Sequence, residues 1–165
     1  MKRKVSVIVL IISLLLLISI VIMSNNMKNI KDYSNDLYSL KYDSTWKIKS
    51  KNNYDLELEH KKTKSSLTFK YKKIDDSYID TKLDVIITDI MKSIELQNKE
   101  FLAIGEVKNE NGYFSYLYEN DNEQVLITVI KKDANLFIVY YNALFENFDI
   151  VLDSVEEIID SMMLK

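Results

Sequence analysis

The stretch "EQVLITVIKKDANLFIVYYNAL" (residues 123–144) decides the fold, because it holds two strands that are apolar on both faces. Within 123–132, apolar side chains lie on both faces of the predicted strand. After the turn residues Asp133, Ala134 and Asn135, the segment 136–144 has the same pattern. Strands with two apolar faces lie in the middle of a sheet and are covered on both sides. The stretch therefore predicts the central hairpin of a sheet.

Upstream, two segments alternate with one apolar and one charged face: "YDLELEH" (54–60) and "SLTFKYK" (66–72). A loop at 62–65 joins them as an antiparallel hairpin. With that loop, we expect Glu57 opposite Lys70 and Asp55 opposite Lys72, since opposite charges facing each other across two strands are mildly stabilising.

The remaining segments complete an α+β pattern. Strands are predicted in 38–49, as two strands joined by a turn at Asp43–Ser44, and in 101–109 and 113–120. The period changes to 3.6 residues in Ser77–Leu96 and in Glu146–Met163, which predicts two helices. We therefore expect four strands, a helix, four strands and a helix: a largely antiparallel β-sheet packed against two main helices.

A 19-residue segment without charge, Val5–Met23, precedes this pattern. As a helix it would be about 28 Å long, close to the hydrocarbon thickness of a bilayer. We predict a single N-terminal transmembrane helix, an uncleaved signal-anchor spanning 1–24, whose residues 5–23 contact membrane lipid. The alternative is cleavage near Ser24 and secretion, although Ile22 is bulky for a cleavage site.

Basic residues around this segment predict its orientation. Lys2, Arg3 and Lys4 precede it, whereas Lys28 and Lys31 follow it more sparsely. The positive-inside rule therefore places the N-terminus in the cytoplasm and the C-terminal domain outside the cell membrane. We divide the chain into the anchor (1–24), a polar tether (25–36) and an extracytoplasmic α+β domain (37–165).

Composition excludes several classes of function. Without the three N-terminal cations, 19 basic residues face 25 acidic ones, which argues against nucleic acid as a partner. The chain has no cysteine, two glycines and one histidine, so thiolate chemistry and glycine-rich phosphate loops are absent from the sequence. We predict no enzyme activity, no cofactor and no metal. Abundant Lys, Asn, Ile and Tyr are typical of an AT-rich, bacterial genome.

Two sets of residues remain candidates for a site. His60 would need a carboxylate and a hydroxyl from elsewhere in the fold, because Glu57 and Glu59 face away from it on an extended strand. Tyr113, Tyr116 and Tyr118 lie on the 113–120 strand, and an exposed row of their rings would form a docking surface. Packing in the core is the ordinary role of both sets.

Both ends of the domain carry a family resemblance. "YSLKYDSTWKI" resembles the opening of the Mog1/PsbP-like superfamily, with Asp43 where the family often has proline. "NLFIVYYNALFENFDIVLDSVEEIIDSM" resembles its ending. The resemblance implies an antiparallel sheet between helices and a binding or accessory role, and it transfers no ligand residues.

We therefore expect a single-pass, membrane-anchored extracytoplasmic binding or accessory module that acts on a protein or cell-envelope partner and is not catalytic. Two alternatives stay open: a structural subunit of a membrane complex, and a hydrolase that uses His60. The identity of the partner does not follow from the sequence.

Overall fold

The computed structural model describes residues 29–52, 55–74, 85, 86, 88, 102–108 and 114–165, with backbone alone for 102–108. Within these residues the chain forms ten strands and one complete helix, α1 (Phe145–Asp160). The strands are β1 (Ile30–Ser34), β2 (Tyr38–Asp43), β3 (Trp46–Asn52), β4 (Asp55–His60), β5 (Ser66–Lys73), β6 (Leu102–Lys108), β7 (Phe114–Glu119), β8 (Glu123–Lys132), β9 (Asn135–Leu144) and β10 (Met163–Leu164).

The described strands form two antiparallel sheets. The larger has seven strands in the order β3-β4-β5-β9-β8-β7-β6, and the smaller has three in the order β1-β2-β10. β9 and β8 are the fourth and fifth strands of the seven, which confirms that the 123–144 hairpin is central. Mostly antiparallel sheets with a packed helix make the fold α+β, as expected.

The main core lies between the inner face of the large sheet and a second layer made of α1 and the small sheet. β2 contributes Tyr38 and Leu40, and β3 begins with the buried Trp46. Helix α1 buries the stripe that its 3.6-residue period predicts, except that Leu152 is only half-buried and Met162 lies beyond the end of the helix. The buried members are Phe148, Val151, Val155, Ile158 and Ile159.

The opposite face of the large sheet is divided into an apolar and a charged half. Over β7, β8 and β9 it carries a second buried cluster, which includes Tyr118, Ile127 and Val129 and is packed against Ile74 and Ile86. Over β3 and β4 the same face carries ion pairs at the surface, Lys47–Glu59 and Lys49–Glu57, each 2.9 Å long. One sheet face is therefore a core in its apolar half and a solvated surface in its charged half.

The predicted hairpin is correct in its strands and faces but wrong in its register. Glu57 lies opposite Thr68 rather than Lys70, and its carboxylate binds Lys49 on β3. The Asp55 carboxylate accepts a hydrogen bond from the backbone N–H of Tyr71 (3.0 Å). The loop closes one residue earlier than expected, with His60 N donating to Ser65 O (2.8 Å). Moving both ends of the loop by one residue shifts the pairing by two and preserves the faces.

The ends of the domain also differ from the prediction. Ile30–Ser34, within the predicted tether, form β1 and pair with β2. The last helix ends at Asp160 rather than Met163, because Met163 and Leu164 pair with β2 as β10. β1 forms a hairpin with the next strand along the chain, whereas β10 pairs with a strand more than 100 residues away. Local periodicity reveals neither pairing, since each depends on the partner strand.

The predicted helix at Ser77–Leu96 lies largely outside the described residues; Val85, Ile86 and Thr88 are helical, and Ile86 is buried. The anchor at 1–24 lies outside them entirely. Among the residues that the structure does describe, no helix combines the length and apolar character needed to cross a membrane.

Candidate functional site

His60, the single histidine of the chain, lies at the end of β4 and pairs with Trp46 on β3. Its imidazole packs edge-on against the Trp46 ring, with centroids 5.3 Å apart. The indole N–H of Trp46 donates to Ser154 Oγ on α1 (2.9 Å). The histidine is therefore set against the aromatic residue that joins the edge of the sheet to the helix.

Thr63, in the β4–β5 loop, contacts one nitrogen of this ring through both its hydroxyl and its backbone N–H. Thr63 Oγ1 lies 2.7 Å from His60 Nδ1, and the backbone N–H of Thr63 donates to the same nitrogen at 3.3 Å. A backbone N–H can only donate, so Nδ1 is the unprotonated nitrogen and the proton of the neutral ring is on Nε2. The Thr63 hydroxyl consequently donates to Nδ1.

The network continues into the core through Ser65. Its hydroxyl lies 2.8 Å from Thr63 Oγ1 and, since the Thr63 proton is used at His60, Ser65 is the donor. Ser65 is buried and lies beside Tyr141, whose pKa its hydroxyl lowers. The Tyr141 hydroxyl donates to the backbone carbonyl of Phe148 in α1 (2.8 Å). We call His60, Thr63, Ser65 and Tyr141 the loop network.

Asp43 is the carboxylate that the fold brings towards His60. It is buried at the end of β2, and its Oδ1 accepts hydrogen bonds from the backbone N–H of Thr45 (2.7 Å) and from the Thr45 hydroxyl. This arrangement is the side-chain cap of a tight turn. Because the carboxylate is used within its own turn, it does not orient the imidazole as the acid of a catalytic triad does.

Burial explains the electrostatics of the loop network. Desolvation lowers the pKa of His60 below its ordinary 6.5; the charge of Asp43 opposes this effect, and that of Lys62 adds to it. Burial also raises the pKa of Tyr141 to about 12, with the neighbouring Ser65 hydroxyl acting in the opposite direction. At neutral pH both groups are uncharged, as their positions beside the core require.

Chemically, this arrangement favours a structural role. A general base needs an unprotonated nitrogen that faces a substrate proton. Here Nδ1 already accepts from Thr63, and Nε2 carries the proton. Asp43, Thr63 and Ser65 are the partners that sequence reasoning missed. The one available signal was the i, i+3 spacing of His60 and Thr63 across a hairpin loop, where hydroxyls commonly bond nearby groups.

The tyrosine row does not form an exposed platform in the described part of the chain. Tyr118 is 1% exposed and belongs to the second buried cluster. Tyr116 is partly buried and packs against that cluster with Phe114. Tyr113 lies outside the described residues. The side chains of Tyr116 and Tyr118 therefore serve the packing of the sheet face.

Metal ligands do not converge within the described residues: no group of three or more His, Asp or Glu side chains there could hold an ion. Nor does any buried side-chain nitrogen or oxygen in this part of the chain lack a hydrogen-bond partner.

Solved structures show where this fold occurs. The solution structure of cyanobacterial PsbP (CyanoP) from Synechocystis sp. PCC 6803 superimposes with a TM-score of 0.64 at 15% sequence identity, covering 85% of this chain and 95% of that one. The chain therefore has a PsbP-like fold. The PsbP-like resemblance of the sequence is thereby confirmed at the level of the fold.

A second similar structure is LpqN of Mycobacterium tuberculosis, a protein involved in cell envelope biogenesis. It has a TM-score of 0.50 at 10% identity, with 86% of this chain and 94% of that chain covered. No family model matches the sequence, and no curated protein matches it either. The PsbP-like fold is therefore recognisable in the structure while the sequences have diverged widely.

Proposed function

We propose that the protein is a single-pass, membrane-anchored accessory module whose extracytoplasmic domain binds a protein or cell-envelope component and performs no chemistry. The observation that carries the non-catalytic part is the loop network, in which the single histidine is held by Thr63 and packed on Trp46. A side chain with these partners stabilises a hairpin end and presents no base to a substrate.

The fold supports the accessory role. Likeness to CyanoP extends over almost all of that protein, and the similar LpqN is involved in cell envelope biogenesis. A partner in the cell envelope is consistent with the predicted export of this domain. The proposal includes the anchor at 5–23 and the second main helix at 77–96, both of which rest on the sequence pattern.

Localisation can be tested on the full chain with a tag at its N-terminus, expressed in a bacterial host. We expect it to stay in the membrane after alkaline carbonate extraction. Protease added to spheroplasts should remove the domain and leave the tagged anchor, since residues beyond 24 are proposed to lie outside. A protein trimmed near Ser24 and released into the medium would contradict the anchored form, as would a domain protected in the cytosol.

The accessory role can be tested with His60→Gln in the same cells. Crosslinking followed by purification in mild detergent identifies the partner of the wild-type chain. We expect His60→Gln to recover the same partner in equal yield once its folding has been verified by Trp46 fluorescence. If His60→Gln failed to replace the wild-type protein in cells that lack it, at unchanged stability and unchanged partner yield, that result would instead support chemistry at His60. Crosslinks confined to residues 5–23 would favour a structural subunit of a membrane complex.

A further inference from the structure

Several loops lie at the end of the domain where β1 begins with Ile30, and we call this end the entry end. Ile30 pairs with Asp43 at the end of β2. The adjacent turn is joined to the β4–β5 loop, where Lys61 N donates to Thr45 O (2.8 Å). In the large sheet, Ser66 pairs with Asn142 just before β9 ends at Leu144. The chain therefore enters the domain beside the β4–β5 loop.

That loop is strongly basic. Lys61, Lys62 and Lys64 are all exposed, and Lys64 has a left-handed backbone conformation with φ of 64°. Two of the three have a partner within the protein: Lys64 Nζ lies 3.7 Å from Glu59, and Lys61 Nζ donates to the backbone carbonyl of Ser44. Exposed lysines held together on a short loop attract anionic surfaces, and each adds to the attraction when it lies near a membrane.

An exposed apolar residue lies at the same end of the large sheet. Leu144 ends β9 two residues beyond the Ser66–Asn142 pair, lies opposite Glu123 on β8, and is 46% exposed. The following residue, Phe145, is 55% exposed. Apolar side chains flanked by cations are typical of surfaces that rest in the headgroup region of a bilayer.

The distance to the predicted span limits how far this end can lie from the membrane. Seven residues lead from Met23 to Ile30, and they reach at most about 25 Å when fully extended. The opposite end of the sheet is one strand length further away.

We propose that the entry end rests on the bilayer that carries the anchor, with Lys61, Lys62 and Lys64 on anionic phospholipid headgroups and Leu144 at the interface. This inference depends on the anchor in the proposed function. Asp121 and Glu146 are also exposed at this end. The contact is therefore made through the β4–β5 loop, and the domain leans towards that side.

The test uses the full chain in lipid nanodiscs, with nitroxide-labelled lipid headgroups as the quencher. The chain has no native cysteine, so single reporters can be placed at Ser44→Cys, at the entry end, and at Ser34→Cys, at the opposite end of the small sheet. On discs containing phosphatidylglycerol, we expect at least twofold greater quenching at position 44 than at position 34. High salt should reduce that difference, because the attraction is electrostatic.

Two charge variants separate the lysine loop from a general effect of positive charge. Changing Lys61, Lys62 and Lys64 together to glutamine should abolish the excess quenching at position 44. The matched control changes Lys51, Lys72 and Lys73 to glutamine; these three lysines are exposed at the far ends of β3 and β5. The control should preserve the excess quenching at position 44. Trp46 fluorescence verifies that each variant is folded.

Equal quenching at positions 34 and 44 would overturn the inference, as would an equal loss in the two triple variants. Excess quenching of the same size on purely phosphatidylcholine discs would also overturn it, since it would show no dependence on anionic headgroups. Failure of the chain to enter the discs would refute the anchor itself, and membrane extraction measures that outcome separately.

Discussion

Thr63→Val tests whether the loop network stabilises the domain. Valine has nearly the size and shape of threonine but lacks the hydroxyl that donates to His60 Nδ1 (2.7 Å) and accepts from Ser65 (2.8 Å). The hydroxyl also accepts from the backbone N–H of Ser65 at 3.4 Å. The backbone N–H of Thr63 still reaches His60, so the change removes three contacts and leaves the backbone of the loop in place.

The expected cost follows from the two short contacts, to His60 and to the Ser65 hydroxyl. A hydrogen bond contributes a net of about 0.5–1.5 kcal/mol, and a buried group left without its partner costs about 1–3 kcal/mol. Ser65 is buried and loses its acceptor at Thr63, although its hydroxyl proton can then turn to the neighbouring Tyr141. We therefore expect Thr63→Val to lower the free energy of unfolding by about 1–3 kcal/mol.

Urea unfolding of a chain starting at residue 28 measures this cost, since β1 begins at Ile30. Trp46, the single tryptophan, is fully buried and reports unfolding by fluorescence. Thr63→Ser keeps the hydroxyl and should stay within about 0.5 kcal/mol of wild type. A cycle with Ser65→Ala should show coupling of about 0.5–1.5 kcal/mol. Unchanged stability in Thr63→Val together with zero coupling would refute the network.

Two further predictions concern pH and packing. Because burial lowers the pKa of His60 below 6.5 in the folded state, the unfolded chain binds more protons there. The stability that the neutral imidazole contributes is complete above pH 6.5 and is lost as the pH falls through the folded pKa. His60→Gln should not show this loss. An NMR titration of the single histidine that gives a pKa of 6.5 or higher would contradict the prediction. Leu58→Ala should cost about 2–5 kcal/mol in urea unfolding, because Leu58 is fully buried, whereas Ile150→Ala, on a side chain that is 72% exposed, should stay within about 0.5 kcal/mol. Equal effects of these two substitutions would contradict the placement of the core.

Much of the fold follows from the sequence because burial imposes a period on each element. Leu56 and Leu58 alternate with charged neighbours and both are buried on one face of β4. Strands β8 and β9, apolar on both sides, lie at the centre of the large sheet. The buried stripe of α1 follows from the same argument at a period of 3.6. In each case one local rule, applied within one element, is sufficient.

The errors arise where one element meets another. The Glu57–Lys70 pairing was wrong because a one-residue difference at each end of the loop changes the register without changing the faces. The partners of His60 come from its own loop and from the turn after β2, which strand periodicity does not connect. Tyr118 shares β7 with Tyr116, yet the second cluster covers its ring.

Net charge misleads for the same reason, because it averages over surfaces that the fold separates. Between residues 41 and 73 there are ten lysines and four carboxylates, and all ten lysines are exposed. Helix α1 carries six exposed acidic residues and no basic one. A partner that contacts one of these surfaces interacts mainly with the charges of that surface, since salt screens interactions beyond about 8 Å. The net negative charge of the domain therefore does not argue against an anionic bilayer as the partner of the β4–β5 loop. The lysine variants test this contact on the surface where it would occur.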